Sequence, residues 1–195
     1  MDRKPVSVKS YANIAIVKYW GKADAERMIP STSSISLTLE NMYTETKLSF
    51  LPEDATGDVM YIDDELQGEK ETIKASKVLD LFRTNPNQHV KIETWNNMPT
   101  AAGLSSSSSG LSALVKAANE LFQVGKTQSE LAQIAKFASG SSSRSFFGPL
   151  AAWDKDSGEV YQVETDLKLA MIMLVLTDQK KPVSSRDGMK LCTET

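Results

Sequence analysis

The segment 99–110, PTAAGLSSSSSG, is rich in the small and hydroxylated residues that bind phosphate groups. It follows a predicted strand and leads into a helix that is predicted to begin near Ser109. Small residues let consecutive backbone N–H groups point at one anion, and a helix N-terminus adds about half a positive charge. The hydroxyls of residues 105–108 can also ligate a nucleotide-bound magnesium ion. A flexible linker is the alternative, but linkers rarely join an apolar strand to an amphipathic helix, so phosphate binding is favoured.

A second segment, NIAIVKYWGK at 13–22, places two lysines four residues apart directly after a predicted strand. Lys18, Tyr19 and Lys22 can gather around a highly charged anion, because an ammonium group binds phosphate as a strong point charge. The alternative is a strand end whose lysines extend into solvent while Trp20 packs in the core. On its own residues, this segment favours the alternative.

The third segment, ASGSSSRSFFG at 138–148, is predicted to be a small-residue loop that follows a helix. It surrounds Arg144 with serine hydroxyls, and the planar guanidinium can donate two parallel hydrogen bonds to a carboxylate or phosphate. A surface turn is the alternative. Three anion-suited segments in a chain of net charge −3 indicate local attraction for an anionic ligand.

Two familiar phosphate-binding motifs are not matched. Gly125, Lys126 and Thr127 resemble the end of a Walker A motif, but Glu120 stands where its first glycine is required, and a helix precedes it. No G-x-G-x-x-G follows any predicted strand, so a dinucleotide-binding Rossmann fold has no support.

The elements that carry these segments follow from hydrophobic spacing. Apolar residues alternate through the first fifty residues, which predicts strands, and later segments mix strands with helices without a βαβ repeat. This pattern predicts an α+β fold with helices layered on a mixed sheet. The later predictions are strands at 44–50, 59–62 and 90–94, a turn at Asp63 and Asp64, helices at 69–82 and from Ser109, a helix begun by a Thr127–Glu130 capping box and ending at 137, a hairpin of 150–153 and 160–163, and a buried central strand at 169–176.

Composition narrows the class of protein further. The 195 residues are 41% hydrophobic and 24% charged, which is typical of a folded domain. The 22 basic residues do not outnumber the 25 acidic ones, which argues against a nucleic-acid partner. One cysteine, Cys192, and one histidine, His89, exclude a zinc cluster built from these residue types. The start lacks a signal-peptide pattern and the longest apolar run is far below the ~20 residues of a membrane span, so no membrane association and a cytoplasmic location are expected.

Together the motifs resemble the diphosphomevalonate decarboxylases of the GHMP kinase superfamily. The resemblance is carried by KYWGK at 18–22, STSSISLTL at 31–39, NNMPTAAGLSSSSSG at 96–110, SGSSSRS at 139–145 and SSRDGM at 184–189. It implies a GHMP-kinase-type N-terminal domain over 1–183, with 184–195 as the first helix of a C-terminal domain that is largely missing. It also implies decarboxylation of mevalonate 5-diphosphate to isopentenyl diphosphate, with ATP and magnesium as cofactors. A homodimer is expected as well, because homodimers are common in this family.

The resemblance assigns roles to particular residues. Lys18 would stabilise the transferring phosphoryl group and Arg144 would bind the substrate carboxylate. Ser107 would ligate magnesium. ATP would be bound by Asn96, Gly103, Leu104, Ser105, Ser106, Ser107 and Ser108, and the substrate by Asn13, Tyr19, Lys22, Ser139, Gly140, Ser141 and Arg144.

The chain also departs from the family pattern. Family members use an aspartate from an Asp-Ala-Gly-Pro segment in their C-terminal half, and the only Gly-Pro pair here, Gly148–Pro149, follows Phe147. We therefore expect a chain that is catalytically incomplete on its own.

Three other interpretations stay open at this stage. An inactive nucleotide-binding fragment would bind ATP or substrate without releasing ADP. A small-molecule kinase of the same superfamily usually has an aspartate where Arg144 stands. An amidase-type serine hydrolase would use serines and Lys18 without a histidine, and would react with a fluorophosphonate probe.

Overall fold

The computed structural model describes residues 4–19, 21–24, 26–98 and 106–172, with only the backbone of Ser106. The predicted α+β fold is confirmed. Trp20, residues 99–105 and the predicted helix at 184–195 lie outside the described residues. The elements are β1 (Val6–Val17), β2 (Lys22–Asp24), β3 (Ile29–Pro30), β4 (Ser34–Phe50), β5 (Val59–Ile62), β6 (Glu65–Leu66), α1 (Glu69–Leu79), β7 (Val90–Asn96), α2 (Ser106–Leu121), α3 (Gln128–Ala138), a 3₁₀ helix (Gly140–Phe146), β8 (Leu150–Trp153) and β9 (Val160–Val163).

Strand β4 organises the main sheet. It pairs antiparallel with β1 over most of its length, with β7 through Thr44–Phe50 and with β8 through Ser34–Leu37. Strand β4 is therefore paired on both edges near each of its two ends. The sheet continues from β7 to β5 and β6, and from β8 to β9, and the β5–β7 pair is parallel.

The buried apolar residues of the described part form three clusters, and the largest of them packs the helices on the sheet. The largest joins α1, α2 and α3 to β4 and β7, with Leu48, Leu79 and Leu121 at its centre. The second contains Ala12, Leu37, Leu39, Met98 and Leu150. The third contains Tyr19, Trp153 and Val160 beside the 3₁₀ helix. No helix within the described ranges has the length and apolar character that a membrane crossing requires.

Local sequence signals set several boundaries as predicted. Helix α3 begins at a full capping box, in which the Thr127 side chain accepts from the Glu130 amide and Glu130 accepts from the Thr127 amide. Asp63 and Asp64 form the β5–β6 turn with φ angles of 49° and 67°, a left-handed conformation that aspartate tolerates. The predicted hairpin of β8 and β9 is confirmed.

Three sequence expectations need correction. Ser106, Ser107 and Ser108 already belong to α2, which is described from Ser106 onward. The predicted loop that contains Arg144 is a 3₁₀ helix. The buried strand predicted at 169–176 is wrong for 169–172, where no strand forms and Ile172 is 85% exposed; residues 173–176 lie outside the described part. An apolar run does not by itself distinguish a strand from an extended surface segment, because it does not specify a pairing partner.

A buried ion pair joins α1 to the start of β7. Asp58 Oδ2 accepts hydrogen bonds of 2.6 Å from both Arg83 Nη2 and Ser76 Oγ, and Asp58 Oδ1 accepts one of 2.8 Å from the Val90 amide. The side chains of Asp58 and Arg83 are only 2% and 5% exposed. Burial is the largest single effect on the Asp58 carboxyl and opposes its ionisation, but the hydrogen bonds together outweigh it and lower its pKa.

We expect Asp58→Asn to destabilise the chain by about 3–5 kcal/mol, because it leaves the Arg83 guanidinium buried without its counter-ion. Urea denaturation measures the loss. Asp80→Asn is the matched control: Asp80 also contacts Arg83, at 3.0 Å, but its side chain is 58% exposed, so its loss should cost below ~1 kcal/mol. Equal losses in the two variants would contradict the assigned importance of the buried pair.

The same pair predicts a pH dependence. The folded-state pKa of Asp58 is lowered. Its contribution to the free energy of unfolding is therefore fully present above its unfolded pKa of about 4 and is lost as pH falls through the folded-state pKa. The stability difference between the parent chain and Asp58→Asn should therefore shrink below this pH. Denaturation curves between pH 7 and acidic pH measure it, and a difference that grows on acidification would refute the prediction.

Candidate anion-binding site

The 3₁₀ helix forms one wall of the candidate site. It follows α3 because Ser139 leaves the helical conformation, with φ −157° and ψ 117°. Within it, Ser143 Oγ donates to the Gly140 carbonyl at 2.8 Å and the Ser142 amide donates to the Ser139 carbonyl. The hydroxyls of Ser139 and Ser141 lie 3.2 Å apart. This local bonding lets a polar segment be buried.

Arg144 is the central cation of the site and is only 3% exposed. Its Nε donates to Ser36 Oγ and its Nη1 to Ser34 Oγ, both at 2.9 Å. Among the described residues, no ion pair within 4 Å joins this guanidinium to a carboxylate. Burial lowers the pKa of Arg144, an effect that neighbouring Tyr19 partly offsets, but guanidinium stays protonated in proteins. The site therefore holds a positive charge next to neutral partners.

Two aromatic rings border this cation. The guanidinium carbon lies 5.6 Å from the Tyr19 ring centre and 5.9 Å from that of Trp153, and the two rings pack edge to face at 4.7 Å. Burial raises the pKa of the Tyr19 hydroxyl, while Arg144 acts in the opposite direction. Cation–π contact stabilises the buried charge without neutralising it.

Asn13 connects β1 to the 3₁₀ helix. Its side-chain amide donates to the Ser141 carbonyl at 3.0 Å and to Ser145 Oγ at 2.8 Å, and the residue is 3% exposed. Six of the predicted substrate-binding residues are thus brought together by direct contacts or as immediate neighbours in the chain: Asn13, Tyr19, Ser139, Gly140, Ser141 and Arg144.

A polar cluster beneath Asn13 joins β1, α2 and the 3₁₀ helix. Ser10 Oγ and Ser112 Oγ are 2.7 Å apart, and Lys116 Nζ donates to Ser10 Oγ at 3.2 Å and to the Ser145 carbonyl at 3.3 Å. Burial lowers the pKa of Lys116 to about 8. The ammonium also lies 4.9 Å from the Phe146 ring centre. These contacts hold the end of the 3₁₀ helix against α2.

The predicted nucleotide side is built around the first turn of α2. Thr44 Oγ1 lies 2.7 Å from Ser109 Oγ and also donates to Asn96 Oδ1 at 2.7 Å, which ties this turn to β4 and β7. Ser107 is exposed and Ser108 is fully buried. Gly103, Leu104 and Ser105 lie outside the described residues, as does the side chain of Ser106. The ATP-binding roles of Asn96 and these residues stay predictions.

The two predicted phosphate-binding lysines are less closely associated with the cluster. Lys18 is exposed at the end of β1, immediately before buried Tyr19. Lys22 lies on the separate β2–β3 sheet, where its ammonium contacts Met28 Sδ at 3.0 Å. In the described part of the chain, no group of three or more His, Cys, Asp or Glu residues is arranged to hold a metal ion.

Sequence reasoning missed four residues of the site: Ser34, Ser36, Lys116 and Trp153. One signal was available for the serines, since residues two apart on a strand share a face and STSSISLTL places Ser34 and Ser36 on the same face of β4. No local pattern distinguishes Lys116 or Trp153, because their partners are distant in sequence.

The fold and the site together define an α+β domain with a buried arginine at the centre of a candidate anion-binding site. Residues 10–163 match the family model of the diphosphomevalonate decarboxylase-like N-terminal domain. The chain belongs to the diphosphomevalonate decarboxylase family.

Individual relatives agree with this assignment. The chain is 35% identical to diphosphomevalonate decarboxylase of Saccharomyces cerevisiae, over 97% of this chain and 54% of that protein. It matches the structure of mevalonate pyrophosphate decarboxylase from Streptococcus pyogenes with a TM-score of 0.93 and 67% identity, over 100% of this chain and 62% of that one. It also matches MDDEF in complex with MVAPP, AMPPCP and magnesium, with a TM-score of 0.80 and 37% identity, over 98% of this chain and 62% of that one. The chain thus spans little more than half the length of these relatives.

We expect Gly140→Ala to destabilise the chain by about 1–3 kcal/mol through overpacking, because a Cβ there would lie 2.8 Å from both Trp153 Cζ3 and the Tyr19 hydroxyl. Thermal denaturation measures the change. Gly110→Ala is the matched control: its Cβ would meet nothing within 4 Å, so in helix α2 it should stabilise by about 0.5–1 kcal/mol. Equal effects of the two changes would contradict the close packing at Gly140.

Lys116 predicts a rise in stability at alkaline pH. Its folded-state pKa is lowered from 10.5 to about 8, so between these values the unfolded chain binds more protons and the free energy of unfolding increases with pH. Lys116→Met should flatten this increase, measured by urea denaturation from pH 7.5 to 10.5. Lys74→Met, at an exposed position on α1, controls for general loss of a lysine. An unchanged slope in Lys116→Met would refute the prediction.

Proposed function

We propose that this chain is the substrate- and ATP-binding part of an enzyme that decarboxylates mevalonate 5-diphosphate to isopentenyl diphosphate, consuming ATP. The carrying observation is the buried Arg144 cation, which contacts serine hydroxyls and aromatic rings and has no carboxylate partner among the described residues. An acidic substrate supplies the missing partner. Family membership supports the assignment, and a relative is solved with MVAPP, AMPPCP and magnesium.

The chemistry explains why such a cation is needed. The substrate hydroxyl is tertiary and leaves poorly, so ATP phosphorylates it first; phosphate then departs and the carboxylate leaves as carbon dioxide. Arg144 would hold the carboxylate in one orientation through its planar fork. Asn13 fixes the 3₁₀ helix that carries Arg144, and Tyr19 borders the guanidinium. The protein's part is therefore orientation of a reacting group.

The first turn of α2 fits the phosphates of ATP. Backbone N–H groups at a helix start favour anions, and exposed Ser107 offers a hydroxyl to a magnesium ion that the nucleotide brings with it. Such an ion neutralises phosphate charge when bound. Lys18, exposed beside Tyr19, is suited to the transferring phosphoryl group, and Lys22, Ser139 and Ser141 to the substrate diphosphate.

The remaining assignments stay predictions from the sequence. They are the cytoplasmic location of the reaction, the homodimer and the domain boundary at residue 183.

Binding tests the proposed substrate directly. We expect calorimetry to show that the chain binds mevalonate 5-diphosphate and that Arg144→Met weakens this binding by about tenfold or more, the value of a charge-assisted hydrogen bond. Isopentenyl diphosphate, which lacks the carboxylate, is the control ligand, and its affinity should change little in the variant. Equal losses for both ligands would contradict the carboxylate role of Arg144.

Turnover tests the reaction. The chain is given mevalonate 5-diphosphate, ATP and magnesium, with mevalonate as the control substrate, and ADP and carbon dioxide are measured. We expect binding of the diphosphate with little or no release of carbon dioxide until the remaining length of a relative is joined to the chain. ADP release with the control substrate mevalonate, in the presence of ATP and magnesium, and none with mevalonate 5-diphosphate would instead support a small-molecule kinase.

A further inference from the structure

The residues that hold Arg144 are themselves unusual for a buried arginine. Ser34 and Ser36 lie on β4, both fully buried, and pair with Trp153 and Ala151 of β8. Their hydroxyls accept from Nη1 and Nε of Arg144 at 2.9 Å each. The orientation of the guanidinium is therefore set by a strand at the centre of the sheet and not by a flexible loop.

Neutral partners have a consequence that a carboxylate partner would not have. A buried ion pair satisfies the charge of each member, whereas hydroxyls satisfy hydrogen bonds and leave the charge in place. The two serines accept hydrogen bonds from Nε and Nη1 of Arg144 and make none with Nη2. The Nη2 group remains able to donate to a ligand.

We propose that Ser34 and Ser36 are positioning residues that make this site selective for a substrate carrying a carboxylate, because they orient the guanidinium of Arg144 while leaving its charge uncompensated. The inference rests on the proposed function and extends it from the arginine to the strand that presents it. A carboxylate side chain introduced on β4 would form an ion pair with Arg144 inside the protein. The substrate carboxylate would then lose its partner, and the selectivity would be lost.

The first experiment measures selectivity as the ratio of the dissociation constants of isopentenyl diphosphate and mevalonate 5-diphosphate. Ser36→Asp should lower this ratio by about tenfold or more by pairing with Arg144, and the affinity for isopentenyl diphosphate should change little. Ser33→Ala is the matched control: Ser33 is an exposed neighbour on the same segment whose hydroxyl accepts from the Lys155 amide, and its ratio should equal that of the parent. A parental ratio in folded Ser36→Asp would overturn the proposal.

The second experiment does not depend on the substrate or on the folding of the aspartate variant. In arginine-labelled protein, the NMR signal of the Arg144 Nε–H is assigned by its loss in Arg144→Lys, and its hydrogen exchange is measured in the parent, Ser36→Ala and Ser33→Ala. Exchange should be about tenfold faster in Ser36→Ala only, since this variant loses a hydrogen bond worth about 1.4 kcal/mol, which corresponds to a factor of ten.

The outcomes separate the two claims. Failure of the parent chain to bind either diphosphate refutes the proposed function and, with it, the selectivity for this substrate. Unchanged Nε exchange in Ser36→Ala overturns the positioning role alone.

Discussion

The burial of an arginine without a carboxylate partner among the described residues is the constraint on which the site depends. Taking a guanidinium out of water is costly, and Arg144 recovers that cost through two serine hydroxyls and two aromatic rings. These four partners come from three places in the chain, so the arginine brings β4, β8 and the segment after β1 to one point. The neighbouring elements must be accurately positioned, because a buried charge is destabilising unless its hydrogen bonds have good geometry.

The way the surrounding segments pack follows from this requirement. Serine and threonine hydroxyls form the contacts of the N-terminal part of α2 with β1 and β4, in the pairs Ser10–Ser112 and Thr44–Ser109, whereas the rest of α2 packs in the large apolar cluster. Short side chains let the start of α2 approach the sheet closely, and their mutual hydrogen bonds satisfy groups that burial would otherwise leave unpaired. The same helix therefore contributes to the apolar core with one part of its length and to the site with another.

Local signals predicted much of this structure, and distant contacts account for what they missed. The capping box at Thr127 and the turn at Asp63 act within a few residues, so their sequence is sufficient to predict them. The motif around Arg144 predicted a cation that binds an anionic ligand. It did not predict the buried 3₁₀ helix, because that helix is held by hydrogen bonds from Asn13, more than a hundred residues away. The strand predicted at 169–172 is wrong because a pairing partner is missing: its apolar residues suggested burial, but no strand of the described sheet pairs with it.

The division of the apolar interior into separate clusters has a consequence for how this protein can change. The cluster of Tyr19, Trp153 and Val160 beside the arginine shares no buried member with the large cluster beneath α1, α2 and α3. Partly buried Phe147 packs against both clusters, so a substitution at Tyr19, Trp153 or Val160 can reach the large cluster through Phe147 but changes no buried member of it. A lineage can vary its ligand while keeping its scaffold, which gives this architecture room to evolve new specificities.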